Sequence, residues 1–163
     1  MLTIKFYPES DKPEFVKGAE EYQRLWDEDG KRIVQAMEEV SGLKFVEKEI
    51  NAIVFDGISY SYPLRLKFPH TSIRAIFSHE FLHRLLIGND VGLHNPKESH
   101  MQLDLILFEI WERLYGLDFA EESIKLESTY HSPLYKEAWD WALAIPKEKR
   151  LETFRRSLIE AKI

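Results

Sequence analysis

Residues 78–83 read Ser-His-Glu-Phe-Leu-His, so two histidines stand four apart with a glutamate directly after the first. On an α-helix such residues lie one above the other on the same face, with Cβ atoms about 5–6 Å apart. His79 and His83 can therefore reach one small cation. Zn²⁺ suits the pair, because it takes imidazole nitrogens at about 2.0–2.1 Å in tetrahedral order. Glu80 points to a neighbouring part of the surface, where it can meet a water carried by the cation without ligating the cation itself. One helical turn thus offers two ligands and a general base, the equipment for hydrolysis by an activated water. The competing reading is a pair of structural histidines satisfied inside a core. The apolar positions Ile73, Ile76, Phe77, Leu82, Leu85 and Leu86 weaken that reading, since unpaired polar groups on a mostly buried face are costly.

The turn needs a frame. Pro69 and Thr71-Ser72 introduce a helix over Ile73–Ile87, and Gly88-Asn89-Asp90 stops it. Upstream, Leu2–Tyr7 alternates apolar and polar residues and reads as a strand. From Glu14, apolar residues at Phe15, Ala19, Tyr22, Trp26, Ile33, Met37 and Val40 have helical spacing, with Gly42 as the C-cap and a gap at Asp29-Gly30 where a kink or break would fit. Leu43–Phe55 and Ile58–Phe68 read as two strands joined at Asp56-Gly57 as a hairpin. Pro63 cannot donate to a ladder, so the second strand is expected at an edge, bulged or broken. Asn95-Pro96 opens another helix, which Gly116 ends. The remainder reads as helical pieces broken near Ser132-Pro133 and Pro146. The expected class is α+β: one domain over residues 1–163, with a small antiparallel or mixed sheet on the motif helix and a helical C-terminal half.

The 163 residues contain no cysteine, which removes disulfides, thiolate nucleophiles and Cys-based metal sites. A net charge of −6 argues against a nucleic-acid partner, whose phosphates call for clustered Lys and Arg. No apolar run approaches the roughly 20 residues of a membrane span. The first residues, Met1-Leu2-Thr3-Ile4-Lys5-Phe6-Tyr7, show no export signal, so a cytoplasmic location is expected and a membrane partner is not.

Over about Ile50–Tyr115 the chain resembles the zincin metallopeptidases, in the motif above all. The resemblance implies a small sheet over an active-site helix, Zn²⁺ as cofactor, His79 and His83 as ligands, Glu80 as general base, and a peptide or protein substrate lying antiparallel to the edge strand. The metzincin extension is excluded, because Leu86 and Asn89 stand where it requires Gly and His. The thermolysin-like group takes its third ligand from the next helix in the pattern Glu-x-x-x-Asp. Here that helix carries His100-Met101-Gln102-Leu103-Asp104, which implies His100 as third ligand and Asp104 as the carboxylate that orients a ligand histidine. The helix is apolar nearly all round, so an aspartate at its centre needs a partner. Two rivals for third ligand remain. His94-Asn95-Pro96 is similar to a segment of the SprT-type proteases, and Glu109 would be a direct glutamate ligand.

The expected activity is zinc-dependent peptide hydrolysis. The alternatives are a non-peptide hydrolase at the same site and a metal-binding domain that holds a partner without cutting it. His94, Tyr60, Tyr62, Tyr130 and His131 are the candidates to stabilise the oxyanion. The strand around Ile58–Leu66 is expected to offer its open edge to an extended peptide. His70 reads as a surface or capping residue. Of Trp139 and Trp141, two apart, one is expected in the core and the other outside it.

Overall fold

The computed structural model describes residues 2–91, 95–130 and 132–160. Strand β1 (Thr3–Pro8) leads into helix α1 (Pro13–Ser41), which returns the chain to β2 (Glu49–Phe55). The short strand β3 (Arg65–Lys67) precedes α2 (Ile73–Gly88), α3 (Pro96–Tyr115), α4 (Leu117–Glu127), α5 (Pro133–Ala144) and α6 (Lys147–Glu160). The class is α+β, mostly helical.

The sheet runs β1-β2-β3 and is parallel throughout, with Ile4 opposite Ile50 and Ile53 opposite Arg65. β1, α1 and β2 form the crossover unit that parallel neighbours require. Ile4, Phe6, Ile50, Ala52, Val54 and Leu66 are buried on one face, while most residues between them are exposed. One face of the sheet is therefore covered, by α1 and the start of α2.

The parallel order corrects the expected antiparallel hairpin at Asp56-Gly57. Pro63 splits the second apolar run, and the chain reverses within residues 61–64. Ser59 and Tyr60 run back along Arg65: Tyr60 N–H donates to Arg65 O at 3.0 Å and Arg65 N–H to Tyr60 O at 2.9 Å. Two reversals bring β3 in parallel to β2. β3 is the outermost strand, as Pro63 suggested, but its edge is not open. Lys67 N–H donates to Ser59 Oγ, and Lys67 O accepts from Tyr22 Oη. Residues 43–48 are not a strand; Phe45 instead stacks on Phe81 with centroids 4.4 Å apart.

The helices start and stop where their caps dictate. Ser72 Oγ accepts from Ala75 N–H at the head of α2, and Asn95 Oδ1 accepts from Glu98 N–H at the head of α3. Gly42 ends α1 in the left-handed region at φ 75°. α1 passes through Asp29-Gly30 without a break, and Asp29 Oδ1 accepts from Arg32 at 2.8 Å. Gly18 lets α1 settle on the sheet, since a Cβ there would lie 2.6 Å from Phe68 Cγ and 2.8 Å from Val54 Cγ1. Gly18→Val should therefore cost roughly 1–3 kcal/mol by overpacking, seen as a lower midpoint of urea unfolding. An unchanged midpoint would contradict this close seat.

α3 is the central helix. Leu103, Leu105, Ile106, Leu107, Ile110 and Trp111 are buried in a core that α1, α2, α4, α5 and α6 share. No helix among the described residues is long and apolar enough to cross a membrane.

Candidate metal centre

α2 is buried on nearly all sides from Ala75 to Leu86, so its polar residues lie inside the protein. His79 is 3% exposed, and Glu80 and His83 are each 7% exposed. α3 crosses beside it and delivers His100 from its second turn. The three rings meet: centroids are 4.9 Å apart for His79–His83, 5.2 Å for His79–His100 and 4.7 Å for His83–His100. One nitrogen from each ring lies within 4.8 Å of the others, and this is the one such group of potential ligands among the described residues.

The outward nitrogens fix which atoms face inward. His79 Nδ1 donates to Glu127 Oε1 at 2.7 Å. His100 Nδ1 donates to the Pro96 carbonyl at 2.7 Å, and His83 Nδ1 meets Ser99 Oγ at 3.2 Å. A carbonyl and a carboxylate oxygen accept, so Nδ1 of His79 and of His100 carries a proton and Nε2 is the nitrogen each ring turns inward; a cation would displace the second proton that the charged His79 ring holds there. His79 Nε2 is buried and has no partner among the described residues. His83 Nε2 and His100 Nε2 face each other at 3.3 Å. Two nitrogens bound to one tetrahedral zinc at about 2.05 Å would stand about 3.3 Å apart. The three imidazoles, each held from behind with Nε2 inward, fit a divalent cation.

Electrostatics follow the burial. Burial opposes charging of His79, but Glu127, with Glu80 and Asp104 farther off, outweighs it and lifts the pKa to about 9. Burial and the His79 charge push His83 well below its usual range and His100 down to about 4. Glu80 is pushed up to about 7 by burial, against the pull of His79. Burial, reinforced by Glu127, holds Asp104 well above the ordinary carboxyl range.

The structure thus brings together His79, His83, His100 and, on the same turn, Glu80. Asp104 is 1% exposed and its Oδ1 has no hydrogen-bond partner among the described residues, so it does not orient His79, His83 or His100 through that atom; Glu127 holds His79 instead. The side chain of Asp104 is short, whereas Glu127 arrives from the end of α4 directly behind the ring. Glu109 is outside the cluster, where Arg113 Nε donates to it at 2.8 Å. His94 and His131 lie outside the described residues. Tyr60 packs on Phe55 and Arg65, and Tyr62 lies under Arg84. His70 caps the approach to α2, accepting from Ser72 N–H.

Two participants had no signal in the sequence. Glu127 stands 48 residues from His79. The Tyr135 ring lies 4.9 Å from His100 and 5.1 Å from Tyr130. Trp139 is buried at 1% exposure and Trp141 is 37% exposed, which matches the expected division. Comparisons with protein-family models, with curated proteins and with solved structures give no match to this chain.

Proposed function

We propose that the protein is a zinc-dependent hydrolase of peptide bonds, with His79, His83 and His100 holding the cation and Glu80 as general base. One observation carries this reading: one nitrogen from each of three rings converges, His79 and His83 buried and His100 half-buried, each ring held through Nδ1, beside a buried glutamate on the same helical turn. Bound zinc would supply a Lewis acid that polarises a carbonyl and acidifies a water. Glu80, buried on the turn that carries His79 and His83, is suited to take a proton and return it to a leaving amine. The low exposure of Glu80 and His79 keeps bulk water from that exchange.

Tyr135 is the donor we assign to the developing oxyanion. Its ring lies beside His100, and burial, together with Glu80 and Glu127, raises its phenol to about 12, so it stays protonated. Tyr135→Phe should lower turnover by roughly 10²-fold, the usual cost of one oxyanion donor, with zinc affinity unchanged. Steady-state kinetics beside a zinc titration check this, and full activity in the variant would remove Tyr135 from the role.

The closed edge of β3 favours a second reading. With Tyr60 and Ser59 bonded along it, an extended peptide cannot add there as a strand. A compact non-peptide amide or ester would need no such edge. Zinc-loaded protein incubated with a peptide library separates the two. Cleavage lost on chelation and restored by zinc supports the peptidase, whereas zinc-dependent turnover of small amides or esters alone supports the second reading.

A further inference from the structure

Two carboxyls besides Glu80 are buried near the histidines, Asp104 on α3 and Glu127 at the end of α4, each 1% exposed. Their partners differ. Asp104 Oδ1 has none among the described residues. Glu127 uses both oxygens: Oε1 accepts from His79 Nδ1 at 2.7 Å and Oε2 from Trp139 Nε1 at 2.8 Å. The other two imidazoles lean on neutral partners, the Ser99 hydroxyl and the Pro96 carbonyl.

We infer that Glu127 is the positioning residue of the centre, setting its affinity for the cation through His79 and held in place by Trp139 of α5. The inference rests on the metal reading above. A carboxylate behind Nδ1–H makes Nε2 a better electron donor than a hydroxyl or carbonyl does, and it fixes ring orientation as well as tautomer. The bond is charge-assisted and short, where the Ser99 contact on His83 is 3.2 Å. A carboxylate so deeply buried needs a second donor, and the indole of Trp139 supplies it on the opposite oxygen.

The surrounding contacts make this arrangement rigid. Trp139 stacks on Trp111 with centroids 5.8 Å apart. Trp111 Nε1 in turn donates to Ser78 Oγ at 2.6 Å, and Ser78 immediately precedes His79. The path from His79 through Glu127, Trp139, Trp111 and Ser78 back to His79 is closed. It crosses α2, α4, α5 and α3, so all four helices meet behind one ligand. Among the described residues His83 and His100 have no comparable circuit: their partners Ser99 and Pro96 both belong to the first residues of α3.

Glutamine cannot replace this glutamate. His79 Nδ1–H and Trp139 Nε1–H are both donors, and an amide offers one oxygen to serve them. The test is zinc affinity, measured by competition with a chromophoric chelator, for the full-length protein and for Glu127→Gln and Asp104→Asn. Glu127→Gln should bind zinc about 10- to 100-fold more weakly, and Asp104→Asn should bind as the parent does. In the zinc-loaded parent, the His79 Nδ1 proton should resonate well downfield of those of His83 and His100, because its acceptor is a carboxylate. That spectrum tests the inference even if Glu127→Gln fails to fold. Equal affinity in Glu127→Gln, an equal loss in Asp104→Asn, or three alike Nδ1 resonances would overturn it. Absence of zinc binding by the parent would overturn the metal reading itself, a separate result.

Discussion

Glu80→Gln should lower zinc-dependent hydrolysis by about 10²- to 10⁴-fold, the span of general acid–base contributions, while the protein still binds zinc. Glutamine keeps the shape of the side chain and removes its ability to take a proton. At 7% exposure Glu80 has little bulk water to stand in for it. Without a cation, burial pushes its pKa up to about 7. The cation would be held by three imidazoles that the substitution does not touch. Rate and zinc stoichiometry are therefore expected to separate. A variant that hydrolyses at the parent's rate would show another base at work. A variant that loses zinc as well as activity would put Glu80 among the ligands.

Zinc should raise the melting temperature of the parent by roughly 10 °C at a free concentration 1,000-fold above the dissociation constant. Mass action at that excess stabilises the folded state by about 4 kcal/mol, and each kcal/mol is worth about 2–4 °C in a chain of this size. In His100→Ala the shift should largely vanish. Of the three histidines His100 is the least buried, so the substitution removes a proposed ligand with the least damage to the core. It also leaves His83 Nε2 without the nitrogen it faces at 3.3 Å. Scanning calorimetry with and without zinc reads both proteins. A full zinc shift in His100→Ala would hand the third position to another residue, His94 first.

What could be read from the sequence was local. The motif on α2 and the ends of α2 and α3 depend on residues within a few positions of one another: Ser72 and Asn95 as caps, Pro96 at a first turn, Gly116 as a stop. The resemblance to the thermolysin-like pattern singles out His100 through its one-turn spacing to Asp104, and the structure puts its Nε2 against that of His83. The role expected of Asp104 did not follow, because the burial of an aspartate shows that it needs a partner and not which one it has. Glu127 holds His79 across 48 residues, by way of the packing of α4 and α5, and no periodicity encodes such a meeting. The sheet departs from the local reading for a similar reason. Asp56-Gly57 is a hairpin turn by local chemistry. Pro63 then forces a second reversal, and Tyr60 rather than β2 receives the antiparallel pairing with Arg65.

The most direct measurement is an anomalous-difference map from crystals grown with zinc, with data collected on both sides of the zinc absorption edge. One peak is predicted, about 2.0–2.1 Å from Nε2 of His79, His83 and His100, with Glu127 still bonded to His79 Nδ1. A map with no peak among these rings, or with the imidazoles turned apart and bonded to backbone or solvent, would contradict a metal centre at this site.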